Sequence, residues 1–396
     1  MSPNRRDFLA TVGLVGAGLT LDPLGGVAEA AHAGSPIRAA EIAGHTVGKT
    51  PAPKRILIFG GTGFIGPNTV RYAAERGHEV SIFTRGRSEA DIPDVEQLIG
   101  DRNDDHEAIM GRTWDVVIDN NTSRDYRWVQ RSTEILRDSV EHYVFISSIS
   151  AYHIEPSLIR PERVLREPIV DRDHAVLPRP DGWTDGEPLE YGPMKAYAEE
   201  IVRTAFPGRS TVVRPGLIVG PGDPTERFTY WPARIAEGGE VLAPGNPDHA
   251  TQVIDQRDLT EWVVRLAENG TAGVFNGVGP ASRLSMAEML FGIRAAFGAP
   301  VEFTWVPLAF LQEQGITPWQ NLPSWIPGDP LMYVDNRPAV ASGLSFRPLA
   351  VTAADTATWN ETRPAGERLP RGDAAFGITR QREADVLAAW HRSGGD

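Results

Sequence analysis

Arg55-Ile56-Leu57-Ile58-Phe59 runs directly into Gly60-Gly61-Thr62-Gly63-Phe64-Ile65-Gly66, and the reading of the whole chain turns on this junction. A short apolar run closed by glycine predicts a buried strand over 55–59. The residues after it, from Phe64 to Arg76, keep a helical spacing. Between them the glycines have separate duties. The first permits a tight turn, the second lets a pyrophosphate approach the backbone, and the third lets the helix pack on the strand. The helix start then offers unpaired N–H groups and a positive dipole end to phosphates. A glycine run alone would be an ordinary strand–turn–helix. Here strand, loop and helix come in order, and a second strand follows at Val80–Phe83, which makes a dinucleotide site the stronger reading.

Outward from this junction the alternation continues. Strands are predicted at 97–99, ending at Gly100-Asp101, and at 116–118, 143–146 and 211–213, with an amphipathic helix over 123–137. Short apolar strands alternating with helices imply a parallel sheet covered on both faces. Residues 153–190 break the rhythm and are rich in Pro, Arg, Asp and Glu. So long a connection marks a lid or binding loop. After Pro215 the alternation weakens. A helix over 285–297 opens with a Ser285/Glu288 capping box, and a strand is predicted at 301–306. The expected fold is therefore α/β: a Rossmann-type doubly wound parallel sheet over 54–216, with a smaller C-terminal α+β substrate region over 217–396. Residues 253–259 are expected to return to the main sheet. Residues 34–53 read as a linker.

Composition bounds the function. The chain has 396 residues, 41% hydrophobic and 23% charged, and a formal net charge of −13. That acidic balance disfavours nucleic acid as a partner, since sequence-independent binding relies on clustered cations. There is no cysteine, so thiolate chemistry is excluded. The nine histidines lack metal-ligand spacing, and no metal is expected. The N-terminus reads Asn4-Arg5-Arg6-Asp7-Phe8-Leu9-Ala10, then a Gly-rich apolar run and small residues from Ala28 to Ala33. This resembles a twin-arginine export signal over 1–33. It implies a periplasmic or extracellular protein, with no membrane attachment after signal removal.

Tyr191-Gly192-Pro193-Met194-Lys195 lies about 130 residues beyond the glycine loop. Of 39 basic Lys and Arg residues only Lys49, Lys54 and Lys195 are lysine, and the first two precede the predicted fold. Arginine is a planar fork, lysine a compact point charge. A chain so biased to arginine keeps lysine where the point charge is needed. Tyr191 and Lys195, four apart, share a helix face. A free phenol titrates near pH ~10, and a neighbouring ammonium favours phenolate. Tyr191 could then be general base to an alcohol or general acid to a ketone. The second strand ends at Thr84-Arg85, where an acidic residue would select NAD and an arginine favours the 2′-phosphate of NADP.

These motifs together resemble the extended short-chain dehydrogenase/reductase family of sugar-nucleotide epimerases, dehydratases and related reductases. Tyr143-Val-Phe-Ile-Ser-Ser-Ile-Ser-Ala-Tyr152 is similar to its fifth-strand segment, and the resemblance implies Ser148 as the catalytic hydroxyl, with Ser147 and Ser150 as the alternatives. Arg214-Pro215-Gly216 is similar to the stretch lining the nicotinamide, and Gly220-Pro-Gly-Asp223 and Ile254-Asp-Gln-Arg-Asp258 also match; the resemblance spans about residues 54–280. Ile149 and Ser150 stand where 4,6-dehydratases carry an Asp-Glu pair, which disfavours that chemistry. Asn120 and Asn121 replace the usual small residues. The expected catalytic set is Ser148, Tyr191 and Lys195. The expected cofactor set is Gly60, Gly63, Phe64, Ile65, Gly66, Arg85, Asp101, Asn120, Lys195 and Pro215. The cofactor is NADP by preference, or NAD, tightly bound. The substrate is a small carbohydrate-like alcohol or ketone, and a homodimer is left open. Simple carbonyl reduction, and a non-catalytic sensor or RNA-binding relative, are the alternatives.

Overall fold

The computed structural model describes residues 47–87, 94–120, 125–369 and 374–394. The export-signal reading of 1–33, most of the linker and Asn121 lie outside them. Six strands follow the alternation: β1 (Arg55–Phe59), β2 (Glu79–Thr84), β3 (Glu96–Ile99), β4 (Trp114–Asp119), β5 (Val140–Ile146) and β6 (Ser210–Pro215). They form a seven-stranded sheet with β11 (Gly273–Gly277), in the order β11-β6-β5-β4-β1-β2-β3. Every pairing in it is parallel. The strand order reverses between β1 and β4, the switch point at which such sheets open a ligand crevice.

Strand periodicity divides the core. Ile56 and Ile58 of β1 face the helices α1 (Gly66–Glu75) and α5 (Gln256–Asn269), with Val70, Leu259 and Trp262. Leu57 and Phe59 face α2 (Tyr126–Leu136) and α3 (Tyr191–Ala205), with Val129, Met194 and Val202. Both faces are covered, which is why the strands read as continuous apolar runs.

Residues 253–259 do not return to this sheet. Val253–Asp255 is β10, paired in parallel with β7 (Leu217–Val219) as a separate ribbon. Asp255 then caps α5 by accepting from Arg257 N at 2.8 Å, so this short strand ends in a helix start. The seventh strand is β11, whose apolar content is only Val274 and Phe275 between glycines, too little pattern to stand out.

A third core fills the C-terminal region. Here α4 (Tyr230–Ala236) and β8 (Gly239–Pro244) precede the ribbon of β9 (Ala250–Thr251) and β12 (Leu284–Ser285). α6 (Met286–Arg294) starts with the Ser285/Glu288 capping box, and β13 (Val301–Val306) pairs in parallel with β8. α7 (Leu308–Glu313), α8 (Arg337–Ala341), α9 (Leu349–Thr362) and α10 (Arg380–Arg392) complete it. Trp231 and Trp325 are wholly buried in this region. They fill core volume and present no face for sugar stacking. The 153–190 connection is laced to its surroundings. Tyr152 bridges Val176, and Val170 bridges Val334 of the C-terminal region.

Candidate active site

The loop after β1 shows which glycine does what. Gly60 adopts φ +76°, the left-handed region a side chain disfavours. A Cβ on Gly66 would lie 2.2 Å from Gly60 O, so only glycine lets α1 start here. Gly63 is different: its Cβ would meet Gly60 O at an ordinary 3.6 Å. The protein itself does not require glycine there, whereas an approaching pyrophosphate would. α1 begins at Gly66, later than the predicted Phe64, and its N-cap Ile65 supplies no side-chain cap. Within the first turn Gly66 N donates to Gly63 O at 3.0 Å, Thr69 N donates to Ile65 O at 3.2 Å, and Pro67 has no N–H. Ile65 is buried and Phe64 half-buried beside the loop.

A charged brace lies under the cradle. Arg102 donates to both carboxylate oxygens of Asp119 at 2.7 Å, and Tyr143 OH donates to the same carboxylate at 2.7 Å. The guanidinium stacks 4.4 Å from the Phe59 ring centroid. It ties the C-terminal ends of β3, β1 and β4 together, and nothing in the sequence pattern singled it out. Asn120 follows Asp119 with 3% exposure, and neither polar atom of its amide has a partner among the described residues. A buried amide left so is costly unless a ligand completes it. Asp101 accepts from the backbone and side chain of Asn103 at 2.9 and 2.7 Å, shaping the turn after β3. Arg85 is exposed at the end of β2, and Thr84, with no acid, accepts from Gln97 Nε2 at 2.9 Å. Pro215 is buried at the end of β6.

The sheet and α3 bring Ser148, Tyr191 and Lys195 together. Gly192 permits this. A Cβ there would lie 2.5 Å from Ser150 O, so the missing side chain lets α3 start hard against the turn at Ile149–Ala151. The Ser148 hydroxyl then acts on the Tyr191 phenol, lowering its pKa against the larger upward push of burial. The net shift is upward, contrary to the lowered phenol expected from Lys195. The second opposing group is Arg227, and the Lys195 ammonium instead donates to Ile146 O at 2.9 Å, 5.8 Å from the Tyr191 ring centroid. Burial pulls Lys195 down to about 8, with Asp119 and Glu199 opposing. Ser147 is occupied elsewhere, donating to Glu199 Oε1 at 2.5 Å, and that carboxylate also pairs with buried Arg214 at 2.6 Å. Ser150 N donates to Ser148 Oγ at 3.0 Å.

Residues 56–277, more than half of the chain, match the NAD dependent epimerase/dehydratase family. The chain belongs to that family. Among curated proteins, mouse "Epimerase family protein SDR39U1" is 27% identical, covering 62% of this chain and 82% of the relative. "Chloroplast stem-loop binding protein of 41 kDa b" of Arabidopsis thaliana is 30% identical over 166 residues, 36% of this chain and 43% of the relative. Among solved structures, UDP-N-acetylglucosamine 4-epimerase from Methanobrevibacter ruminantium M1 superposes with TM-score 0.56 at 14% identity, covering 78% of this chain and 99% of that one. The likeness is one of fold. The epimerase/dehydratase family is NAD dependent, and the residues here fit a dinucleotide: the cradle is open at Gly63, and the orphaned Asn120 amide stands beside it.

Proposed function

We propose that this epimerase/dehydratase-family enzyme moves hydride at a secondary alcohol or ketone of a sugar or sugar derivative, with Tyr191 as general acid and base. When bound, the dinucleotide supplies the hydride donor or acceptor. Gly60, Gly63 and Gly66 would cradle its pyrophosphate, with Phe64, Ile65, Asn120 and Pro215 lining it. Arg85 would pair with a 2′-phosphate, which is the reason for preferring NADP over NAD. The observation that carries the reading is the Ser148–Tyr191 pair beyond the end of β5, where Gly192 lets α3 start against the turn at Ile149–Ala151. Ser148 orients the substrate oxygen. Tyr191, kept protonated by burial, gives a proton to a ketone oxygen and takes it back from the alcohol. Lys195 fixes the α3 face against Ile146 O and lends its charge to the site.

The test is turnover. Wild-type protein incubated with either dinucleotide and a panel of sugars is followed by nicotinamide absorbance and by product stereochemistry. Inversion without net cofactor change means epimerisation; net change means simple reduction or oxidation. Tyr191→Phe should lower kcat at least ~100-fold with dinucleotide affinity nearly unchanged, the scale for losing a general acid–base. Near-full activity of that variant would remove Tyr191 from proton transfer. A second reading, RNA binding, draws on the similarity to the chloroplast stem-loop binding protein. The net charge of −13 weighs against it, and a gel-shift titration with stem-loop RNA would decide.

A further inference from the structure

Lys195 is 1% exposed. An ammonium so far from water loses its hydration and tends to shed its proton. Its donation to Ile146 O at 2.9 Å meets a neutral acceptor, which returns only part of that loss. The other two lysines, Lys49 and Lys54, precede β1. Position 195 thus keeps a titratable cation where the fold elsewhere uses arginine, whose charge is permanent.

Two buried carboxylates flank it. Glu199 follows Lys195 by one helical turn, on the same face of α3. The two side chains engage adjacent residues at the end of β5. Lys195 meets Ile146, and Glu199 accepts from Ser147 Oγ at 2.5 Å. Asp119 comes from β4 and is wholly buried. It pairs in register with Phe59 on one side and Phe145 on the other. Its side chain therefore lies on their face of the sheet, the face that α3 covers. The Lys195 ammonium stands over that same Phe145 ring, 5.2 Å from its centroid. Each acid also serves an arginine. Arg102 holds Asp119 at 2.7 Å, and Arg214 donates from Nε and Nη2 to the two Glu199 oxygens at 2.9 and 2.6 Å. From α3 itself Tyr191 faces the ammonium, its ring centroid 5.8 Å away. Burial draws the proton off Lys195, Asp119 and Glu199 hold it, and Arg102 works against them.

Building on the hydride-transfer reading of this site, we propose that Asp119 and Glu199 are positioning residues for Lys195, two counter-charges that keep its ammonium charged and in place while the site works. Neither is given contact with the reacting atoms. Opposite charges in the interior act far more strongly than in water, so acids from two different elements can offset what burial takes away. Each acid is shared with an arginine, and its hold on Lys195 is therefore partial. That sharing gives a signature which packing alone does not. Removing either acid should loosen the proton, and removing Arg102 should tighten it. The scarcity of lysine makes the signature readable, because the chain offers only three side-chain ammonium signals.

Protein isotope-labelled at the lysine Cε is titrated by proton–carbon correlation NMR, with Lys195→Arg to assign the signal. In wild type the Lys195 signal should change with a midpoint near 8. Asp119→Asn and Glu199→Gln should each lower that midpoint by about one pH unit or more, the effect of losing a nearby opposite charge. Asp119→Glu should restore most of the loss, and Arg102→Met should raise the midpoint. Breaking one buried pair costs more than removing both partners. The paired replacements, Arg102→Met with Asp119→Asn and Arg214→Met with Glu199→Gln, therefore stand in for any single variant that fails to fold, and both should lower the midpoint. A wild-type midpoint near ~10.4, that of an ordinary lysine, overturns the proposal. So do acid variants that leave the midpoint unmoved, and so does a shift of the same sign for the acids and Arg102 alike. Turnover in the same variants reads the consequence. Its alkaline limit should fall with the Lys195 midpoint, and a limit that stays in place overturns the positioning role. Absence of turnover with every sugar refutes the hydride-transfer reading, and the NMR midpoints then still decide the counter-charges.

Discussion

At the residue scale, the environment of Lys195 makes a prediction about stability. Burial pulls its pKa to about 8 in the folded protein, while in the unfolded chain it titrates near ~10.4. Between those values the unfolded state holds more protons, so this residue's contribution to stability rises with pH. Below pH about 8 the buried ammonium costs up to about 3 kcal/mol, and by pH ~10.5 that cost is gone. The unfolding free energy of wild type relative to Lys195→Met should therefore increase across this window, measured by urea denaturation at stepped pH. A flat difference would mean that the ammonium is not penalised in the fold. Arg85 concerns cofactor choice. Exposed at the end of β2, it should contribute about 1–3 kcal/mol to NADP binding through a charged hydrogen bond. Arg85→Ala should weaken NADP by that amount and leave NAD nearly unchanged. Equal losses would remove the 2′-phosphate assignment.

At the scale of elements, the two glycines that frame the start of α1 separate folding from binding. Gly66→Ala forces a methyl within 2.2 Å of Gly60 O. It should cost about 1–3 kcal/mol of stability, as overpacking does, and lose the dinucleotide too. Gly63→Ala meets only a 3.6 Å contact. Stability should stay within ~0.5 kcal/mol of wild type, while the dinucleotide Kd rises at least about tenfold because the pyrophosphate can no longer reach the backbone. Denaturation and fluorescence titration of both variants give the comparison. If Gly63→Ala binds as wild type does, the pyrophosphate lies elsewhere. The motif was legible in the sequence as a row of glycines. Their division of labour was not, because it depends on how tightly α1 packs on the turn.

At the scale of the whole molecule, the N-terminal resemblance to an export signal meets a site built for a soluble redox cofactor. Outside the cytoplasm no ready pool of nicotinamide dinucleotide is expected. An exported enzyme of this kind works best by keeping one molecule and regenerating it within its own cycle, as epimerisation or paired oxidation and reduction would. The 153–190 connection, bridged to Val334 at Val170, joins the two regions and would slow escape. Mature protein from the exported fraction should accordingly carry near-stoichiometric dinucleotide after gel filtration. Nucleotide released on denaturation measures it, and empty, rapidly exchanging protein would overturn the recycling idea.

The sequence by itself determined the nucleotide-binding half. Alternating short apolar strands and helices specify a parallel sheet because both faces of each strand must be buried, and that requirement is written locally. It also put Tyr191 and Lys195 on one face, since helical spacing is local too. What only the tertiary structure decided were relations between distant segments. The seventh strand is Gly273–Gly277 rather than 253–259, because a three-residue strand ending at a helix cap pairs with whichever edge is near. Ser147 is withdrawn from the site by Glu199, which lies 52 residues away in the chain. The Arg102–Asp119 brace has no periodicity to betray it. An ion pair, or the lack of one, is a property of packing, and in a chain so rich in arginine no single arginine announces which carboxylate the fold will bring to it.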